Sequence, residues 1–459
     1  MTTYDTVTAH PLRWRILAFL GVAQLMLILD VTIVAIALPH MEIDLGLSRA
    51  AVTWTVSAYT LAFGGLMLLG GRIADIVGAK RVVLAGLFVF TTASLVTGLA
   101  GSAETLIGGR IAQGVGAALL SPAALSLVVT LFAGDERNKA LGVWSALGGG
   151  GAALGVLLGG LITSGPGWPW VFFINVPIGL AVIAALVILL PAGTPVGPRP
   201  RLDLLGALLV TGATAALIYA LIRAGDHGWL TAATGWLVLI AVIGYTTFTV
   251  WQRTARSPLM DVRMLARRPV AGGAFLILMA TALMVAAFFL GTFYFQHARG
   301  YGALHTGLLF LPVAVVTMVG AHLTGTFIGR LGARPLAVVA LLIAAAGMAV
   351  PALTMQPIAV TAGIAFAAAG TGALFVVASA TALGNVAPQE SGVASGIIST
   401  FHEFGASVGV AVVSSVAAAS FAGDQVSGYQ DGFLVAAAAA AAGAVIAGLL
   451  TPGKPAHHG

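Results

Sequence analysis

The sequence predicts an all-α polytopic membrane protein built from two six-helix halves and an inserted helix pair. Three observations lead to this prediction: an extremely apolar composition, apolar segments of spanning length from end to end, and a repeated loop sequence. Of the 459 residues, 59% are hydrophobic and 8% are charged, whereas a soluble protein carries about 25% charged residues. The chain has no cysteine, which excludes disulfides, thiolate metal sites and cysteine nucleophiles.

Fourteen segments have the roughly 20 apolar residues that a helix needs to cross a bilayer. In order they are 14–38, 51–70, 81–100, 104–131, 140–163, 170–190, 204–223, 233–251, 270–296, 304–328, 335–354, 357–384, 392–421 and 432–451. The stretch before the first span is polar and contains Asp5, unlike the basic start of a cleaved signal peptide. We therefore expect the first span to be retained, with both termini on one side of the membrane.

The basic residues predict the orientation, because Lys and Arg concentrate in cytoplasmic loops. With a cytoplasmic N-terminus, 17 of the 21 basic residues lie on the inner side. The four that remain are Arg49, Arg110, Arg223 and Arg299. We expect both termini to be cytoplasmic, and the net charge of +6 then needs no nucleic-acid partner.

Two loops repeat one pattern. The sequence GRIADIVGAK (71–80) follows the second span, and GTFIGRLGAR (325–334) follows the tenth. Chance similarity between short glycine-rich loops is the alternative, but both loops stand between spans at equivalent positions, so we favour duplication. The expected parts are an N-terminal half (1–200), an inserted pair (201–252) and a C-terminal half (253–459), with a Pro/Gly-rich linker at 191–201. Repeats of this kind place the substrate site near the membrane midplane.

Asp30 is the one full charge between Arg15 and Pro39 in the first span. It lies roughly 22 Å along the helix from Arg15, and a charge at such a depth costs about 3 kcal/mol on insertion scales. Intramembrane acids usually face a wet cavity or a partner, so we favour a functional role. The alternative is a packing role, with a hydroxyl such as that of Thr32 as partner.

The loop GGRIADIVGAKR (70–81) resembles the cytoplasmic loop signature of the major facilitator superfamily. Its glycines permit a tight turn, and Asp75 can interact with cations or helix N-termini across the halves. The family has a basic residue where Ile76 stands, so one ion pair is missing here, whereas the second copy keeps the charge at Arg330. A plain basic stop-transfer loop is the alternative. The expected conformational gating residues are Gly71, Asp75, Gly78, Lys80, Arg81, Arg330 and Arg334.

LIGGRIAQGVGAA (106–118) resembles the fourth-helix motif of the superfamily. Arg110 and Gln113 share one helix face, and Arg110 lies at about the depth of Asp30, which is the nearest candidate partner. The resemblance implies a role for Arg110 in proton transfer. The alternative is an arginine that extends to the outer headgroups.

LGVWSALGGGGAALGVLLGG (141–160) resembles the fifth-helix motif of antiporters in this superfamily. Gly151, Gly155, Gly159 and Gly160 form a small-residue face suited to tight helix packing. The family has proline where Val156 stands, so the expected kink is missing. A generic packing face is the alternative.

Two further stretches, LDVTIVAIALP (29–39) and WPWVFFINVPIG (168–179), resemble the fourteen-helix drug:proton antiporter branch, which also has the inserted pair. That branch has arginine where Pro169 stands. The resemblance is strongest over the first six spans.

The thirteenth span carries a polar stripe of Ser399, Glu403, Ser407 and Ser414, which suggests that Glu403 faces water rather than lipid. His402, about a quarter-turn away, is expected to face a neighbouring helix. The alternative for Glu403 is a packed neutral acid bonded to a serine. The expected substrate cavity comprises Asp30, Trp54, Tyr59, Gln113, Ser399, Glu403, Ser407 and His322, although His322 shares its face with a packing stripe. The expected proton-coupling residues are Asp30, Arg110 and Glu403.

These residues predict a proton-coupled antiporter that exports small hydrophobic or amphipathic compounds, including cations, across the plasma membrane as a monomer. A proton-coupled uptake symporter of the same fold is the alternative, and a non-transporting membrane sensor is a third hypothesis. We find no GxxxxGK[ST] loop or enzymatic constellation in the sequence, so neither ATP-driven transport nor an enzyme is expected. No cofactor is expected, and the partners are substrate, protons and the bilayer.

Overall fold

A computed structural model describes residues 11–132, 134–190, 202–384, 386, 391–418 and 426–453, which form helices and no strands. Thirteen of the described helices are long and apolar enough to cross a membrane, and Gly134–Ser164 (31 residues) stands in the place of the expected fifth span. The helices are α1 Arg13–Leu45, α2 Arg49–Val77, α3 Ala79–Gly98, α4 Ala103–Leu131, α5 Gly134–Ser164, α6 Trp170–Leu189, α7 Leu204–His227, α8 Ala232–Thr254, α9 Arg268–Ala298, α10 Ala303–Leu331, α11 Ala333–Leu353, α12 Pro357–Leu383, α13 Ser391–Val416 and α14 Ser427–Leu450. The polytopic all-α fold is confirmed.

Local sequence signals set the helix ends. Gly46, with φ +59°, ends α1 in the left-handed region, where glycine has no steric penalty. The hydroxyl of Ser48 accepts a hydrogen bond from the Ala51 amide and begins α2, and Asp203 caps α7 through the Gly206 amide in the same way. The last turn of α9, Tyr294–Ala298, is a π-helix.

The first six helices pack as one group and the last six as another. In the first group α2 contacts α4, α3 contacts α4 and α6, and α1 contacts α5. In the second group α10 contacts α12, α11 contacts α12 and α14, and α9 contacts α13. Each pair recurs with both helices moved eight places along the chain, as duplication requires. The residue boundaries of the expected parts stay predictions, and the linker 191–201 and Lys454 lie outside the described residues.

We call the end of the bundle that holds Arg13 the near end, and the end that holds Leu45 the far end. The two groups contact each other along α2–α13 and along α5–α10. Among the described residues, hydrogen bonds between the groups lie in the far half: Gln296 Nε2 donates to the Ile36 carbonyl at 2.9 Å, and the Leu304 amide donates to Ser164 Oγ at 2.9 Å. Toward the near end, α10 is largely exposed from Leu323 onward. The structure is therefore closed at its far end, whereas α10 is exposed at its near end.

The inserted pair lies at the side of this bundle. α7 packs on α2 and on α13, whereas α8 packs mainly on α7. Of the thirteen candidate spans, α8 has the least buried apolar window, at 17%, which leaves its outer face to lipid.

Candidate functional site

A buried polar cluster connects α1 and α4. The guanidinium of Arg110 donates from Nη1 to Asp30 Oδ2, and the two side chains form an ion pair. Gln113 Nε2 donates to the other carboxylate oxygen of Asp30 at 3.1 Å and to Ser94 Oγ of α3 at 2.8 Å. Asp30 and Arg110 are each 1% exposed, so the charges are held away from water and the pairing expected from their equal depth is present.

Arg110 makes three more contacts that do not involve Asp30. Its Nε donates to the Thr55 carbonyl at 3.0 Å, its Nη1 donates to Gln113 Oε1 at 2.9 Å, and its guanidinium lies over the Tyr59 ring at 4.2 Å. Because Arg110 is buried, the headgroup alternative does not apply to this structure. The packing alternative for Asp30 is not favoured either, since the hydroxyl of Thr32 donates to carbonyls of its own helix at 3.2 and 3.3 Å.

Tyr59 of α2 packs against this cluster, with its ring under the Arg110 guanidinium. It is fully buried, and its hydroxyl has no hydrogen-bond partner among the described residues. It is close enough to Asp30, Arg110 and Glu403 to interact with the charge of each. Tyr59 therefore has a buried, unpaired hydroxyl within reach of the charges of Asp30 and Glu403, one from each helical group.

Glu403 is 7% exposed and lies where α13 approaches α2. A Cβ added at Gly64 would come within 2.6 Å of Glu403 Cβ, so the glycine permits this approach. His402 contacts Glu403 as well as a neighbouring helix: its Nδ1 lies 3.1 Å from Glu403 Oε1, because neighbouring residues on a helix can turn long side chains toward each other. Its ring is also 5.8 Å from that of Phe375.

The serines of the expected stripe serve mainly to join helices. Ser407 and Thr60 of α2 are hydrogen-bonded at 2.5 Å, and Ser414 and Thr53 at 2.6 Å. Both serines are fully buried, so they do not line an open cavity in this structure. Ser399 is half-buried.

Two other expected cavity residues lie apart. Trp54 is half-buried and packs against the apolar core. His322 is exposed on α10, and no hydrogen bond to the Asp30 cluster is described for it. The structure thus brings together Asp30, Arg110, Gln113, Tyr59 and Glu403, and leaves the roles of all the expected cavity and coupling residues as predictions.

The expected gating residues lie at the near end. Asp75, Arg81 and Arg330 are exposed and Gly71 is half-buried. Lys80 Nζ donates to the Val187 carbonyl at 3.1 Å and also to the Leu190 carbonyl at the end of α6. Arg334 Nε donates to the Thr451 carbonyl after α14 at 2.8 Å. Gly78 has φ +101° and its repeat counterpart Gly332 has φ +85°, a conformation that favours glycine.

The glycines of α5 face two helices. A Cβ added at Gly151 would meet the Ile28 side chain at 2.8 Å, one at Gly155 would collide with the Thr32 hydroxyl, and one at Gly159 would lie 3.0 Å from Ile33 Cα, all on α1. A Cβ at Gly160 would lie 2.8 Å from the Ala303 carbonyl of α10. The small-residue face therefore packs α5 within its own group and, at its far end, against the other group.

Sequence reasoning did not identify two far-end features. One is Arg49, which is paired with Asp226. Both charges lie at helix ends, and this position was the only sequence feature that could have suggested the pair. The other is the contact of Glu42 Oε2 with His297 Nε2 at 3.4 Å, between α1 and α9, for which residue spacing gives no signal because the two are remote in sequence.

The comparisons with known proteins agree with this architecture. The family model described as Major Facilitator Superfamily matches residues 20–410. The chain is 38% identical over 420 residues to the puromycin resistance protein pur8 of Streptomyces alboniger. The matched region covers 88% of this chain and 82% of that protein. It is 37% identical over 424 residues to the cephamycin export protein CmcT of Amycolatopsis lactamdurans, with 90% and 87% covered.

Solved structures share the fold at low identity. A bacterial homolog of the human lysosomal transporter Spinster, in an inward-facing and occupied conformation, matches with a TM-score of 0.65 and 18% identity over 96% of each chain. A peptide transporter, POT, matches with a TM-score of 0.67 and 17% identity, with 95% of this chain and 94% of that chain covered.

Proposed function

This chain belongs to the Major Facilitator Superfamily, and we propose from that premise that it is a proton-coupled antiporter that exports small hydrophobic or amphipathic compounds. A transporter of small molecules, and not an enzyme, follows from the family. Export is supported by relatives whose names state antibiotic resistance or export. Coupling to protons is supported by the buried ion pair of Asp30 with Arg110, and this single observation carries the proposal.

The geometry supports a role for Asp30 as the residue that gains and loses the proton. A proton on the carboxylate cancels its charge and leaves Arg110 without a counter-ion. Arg110 can nevertheless stay buried, because the Thr55 carbonyl, the Gln113 amide oxygen and the Tyr59 ring still hold it. The pair can therefore change its charge state without expelling the arginine, which a coupling residue must permit.

The buried carboxylate of Glu403 supports the proposal that the substrates include cations. It is an acid in a nearly dry environment beside Tyr59 and Phe404, and charges interact more strongly where little water is present. A lipophilic cation would gain this attraction, and aromatic faces would add to it. A neutral compound would gain contact with apolar walls only.

We assign the near end to the cytoplasm and the protein to the plasma membrane, where it works as a single chain. This assignment is supported by the described basic residues of the near end, among them Arg72, Lys80, Arg81, Arg330 and Arg334. With this orientation the closed far end faces away from the cytoplasm, as an exporter requires when it takes up its substrate.

Transport into inside-out membrane vesicles tests the proposal. The vesicles would be loaded with acid and offered ethidium as a lipophilic cation, or puromycin. We expect accumulation that requires the imposed pH gradient and stops when a protonophore collapses it. Accumulation only in right-side-out vesicles with acid outside would indicate the uptake symporter instead, and equal fluxes with and without a gradient would reject proton coupling.

A further inference from the structure

Arg49, at the far end of α2, connects three parts of the molecule. Its side chain is 7% exposed, and its guanidinium forms an ion pair with Asp226 of α7. Nε donates to Asp226 Oδ1 at 3.0 Å, Nη2 donates to the Ile222 carbonyl of α7 at 2.6 Å, and Nη1 donates to Ser414 Oγ of α13 at 3.1 Å. One residue of the N-terminal group thus holds both the inserted pair and the C-terminal group.

The helix that Arg49 binds lies in the seam between the two groups. On the α2 side, Gly65 lets α7 approach so closely that an added Cβ would collide with the Thr211 hydroxyl. On the α13 side, an added Cβ at Gly225 would lie 2.7 Å from Ser415 Cα. Ser415 Oγ also donates to the Leu221 carbonyl. α7 is therefore bound to both helices that meet at the far end.

Separation of the groups at the far end would break this arrangement. α2 and α13 meet there through Thr53–Ser414 and Thr60–Ser407, and Arg49 is bound on both sides of the seam. If the two helices move apart, Arg49 on α2 loses Ser414 of α13, and it also loses Asp226 and the Ile222 carbonyl if α7 moves with α13. Separation therefore breaks hydrogen bonds of a charged group, which is unfavourable, so these contacts favour the closed far end.

We propose that α7 is part of the far-end gate and that Arg49 is the residue that latches it, through Asp226 on α7 and Ser414 on α13. The inserted pair is then a working part of the conformational change rather than a peripheral addition. This role goes beyond the proposed export function, because it depends on neither the substrate nor the proton.

Cysteine accessibility tests the proposal directly, because the chain has no cysteine of its own. Ala303 is fully buried where α10 meets α5 at the far end, away from Arg49, and Ala303→Cys reports opening there. Thr326 is exposed at the near end, and Thr326→Cys reports the opposite side. Each reporter would be labelled with a membrane-impermeant maleimide in proteoliposomes of known orientation, in the wild-type background and with Arg49→Gln or Asp226→Asn.

We expect Arg49→Gln to raise the labelling rate of Ala303→Cys about tenfold, because the variant removes the hydrogen bonds that the guanidinium makes to both α7 and α13. Asp226→Asn should act in the same direction with a smaller effect, because the Asp226 side chain is 37% exposed and Arg49 keeps Ser414 and the Ile222 carbonyl. Labelling of Ala303→Cys in the double variant should be only slightly faster than with Arg49→Gln alone, since both changes break the same contact between Arg49 and Asp226. Labelling of Thr326→Cys should fall as the far end opens.

Arg223→Gln is the matched control on the same helix. The Nε of Arg223 has no hydrogen-bond partner among the described residues, so this variant should label like the wild type. Asp226→Asn changes a partly exposed residue and keeps its volume. It therefore tests the same contact even if the Arg49→Gln protein misfolds. Wild-type labelling of Ala303→Cys in both the Arg49→Gln and Asp226→Asn backgrounds would overturn the proposal. Transport is not measured here, so failure of the export proposal would leave this result unaffected.

Discussion

Lys80 and Arg334, at equivalent positions of the two loop repeats, make the same contact. Lys80 Nζ donates to the Leu190 carbonyl at the end of α6, and Arg334 Nε donates to the Thr451 carbonyl after α14. Each basic residue thus binds the last helix of its own group, where the partial negative charge of a helix C-terminus attracts a cation. The conserved geometry supports duplication more strongly than the similarity of ten residues does.

The first prediction follows from this contact. Lys80→Met should lower the thermal unfolding midpoint of the purified protein in detergent, because it removes hydrogen bonds of a charged group, worth about 1.5 to 3 kcal/mol each. Arg334→Gln should do the same in the other group. Arg81→Gln, next to Lys80 but exposed, is the control and should leave the midpoint unchanged. An equal decrease in the Arg81→Gln control would mean that loop charge, and not the contact with α6, is responsible.

The fold and the inner cluster were predictable from the sequence for physical reasons. Apolar length gives the spans, and a charge in an apolar helix must find a partner, so Asp30 and Arg110 could be matched by depth along their helices. Contacts across the groups were not predictable in this way. Arg49 and Asp226 are 177 positions apart, and nothing in helical spacing relates α2 to the inserted pair. The contact between His402 and Glu403 was missed because the two residues leave the helix about a quarter-turn apart, and their side-chain rotamers nevertheless bring them together.

The second prediction concerns Asp75, which is exposed at the near end. Asp75→Ala should slow transport turnover without changing which compounds compete for binding, because a contact formed only when the near end closes affects the conformational equilibrium. Turnover and competition would be measured with the same labelled substrate in vesicles. A changed substrate range at a normal rate would place Asp75 in the binding site instead.

The third prediction concerns Glu403. Glu403→Gln should weaken binding of ethidium and spare a neutral compound, since a carboxylate in a poorly hydrated site attracts a cation. Binding would be measured without a gradient, so that coupling defects do not appear as affinity changes. Glu104→Gln, an exposed acid at the far end, is the matched control.

His402→Ala extends the Glu403 test. His402 Nδ1 lies 3.1 Å from Glu403 Oε1, but His402→Ala leaves the carboxylate in place. It should therefore keep the preference for ethidium over the neutral compound. Unchanged affinities for both ligand classes in Glu403→Gln would make Glu403 a structural residue.

The fourth prediction concerns the packing of α5 on α1. Gly155→Ala should destabilise the protein by about 1 to 3 kcal/mol, the usual range for overpacking, because the added methyl group would collide with the Thr32 hydroxyl. Gly212→Ala is the control, since a Cβ at Gly212 in α7 would meet open space. Thermal unfolding in detergent would compare the two. If both variants unfold like the wild type, the α1–α5 contact is not close-packed.

The account depends most on Asp30 as the proton-carrying residue. The most direct measurement is pH-gradient-driven accumulation of ethidium in inside-out vesicles that contain Asp30→Asn, which keeps the side-chain volume and removes the titratable proton. Asp431→Asn, an exposed acid, is the matched control and should transport like the wild type. We expect Asp30→Asn to be expressed and to bind ethidium, while its gradient-driven accumulation falls to the level of empty vesicles. Accumulation by Asp30→Asn at the wild-type rate under the same gradient would contradict the account.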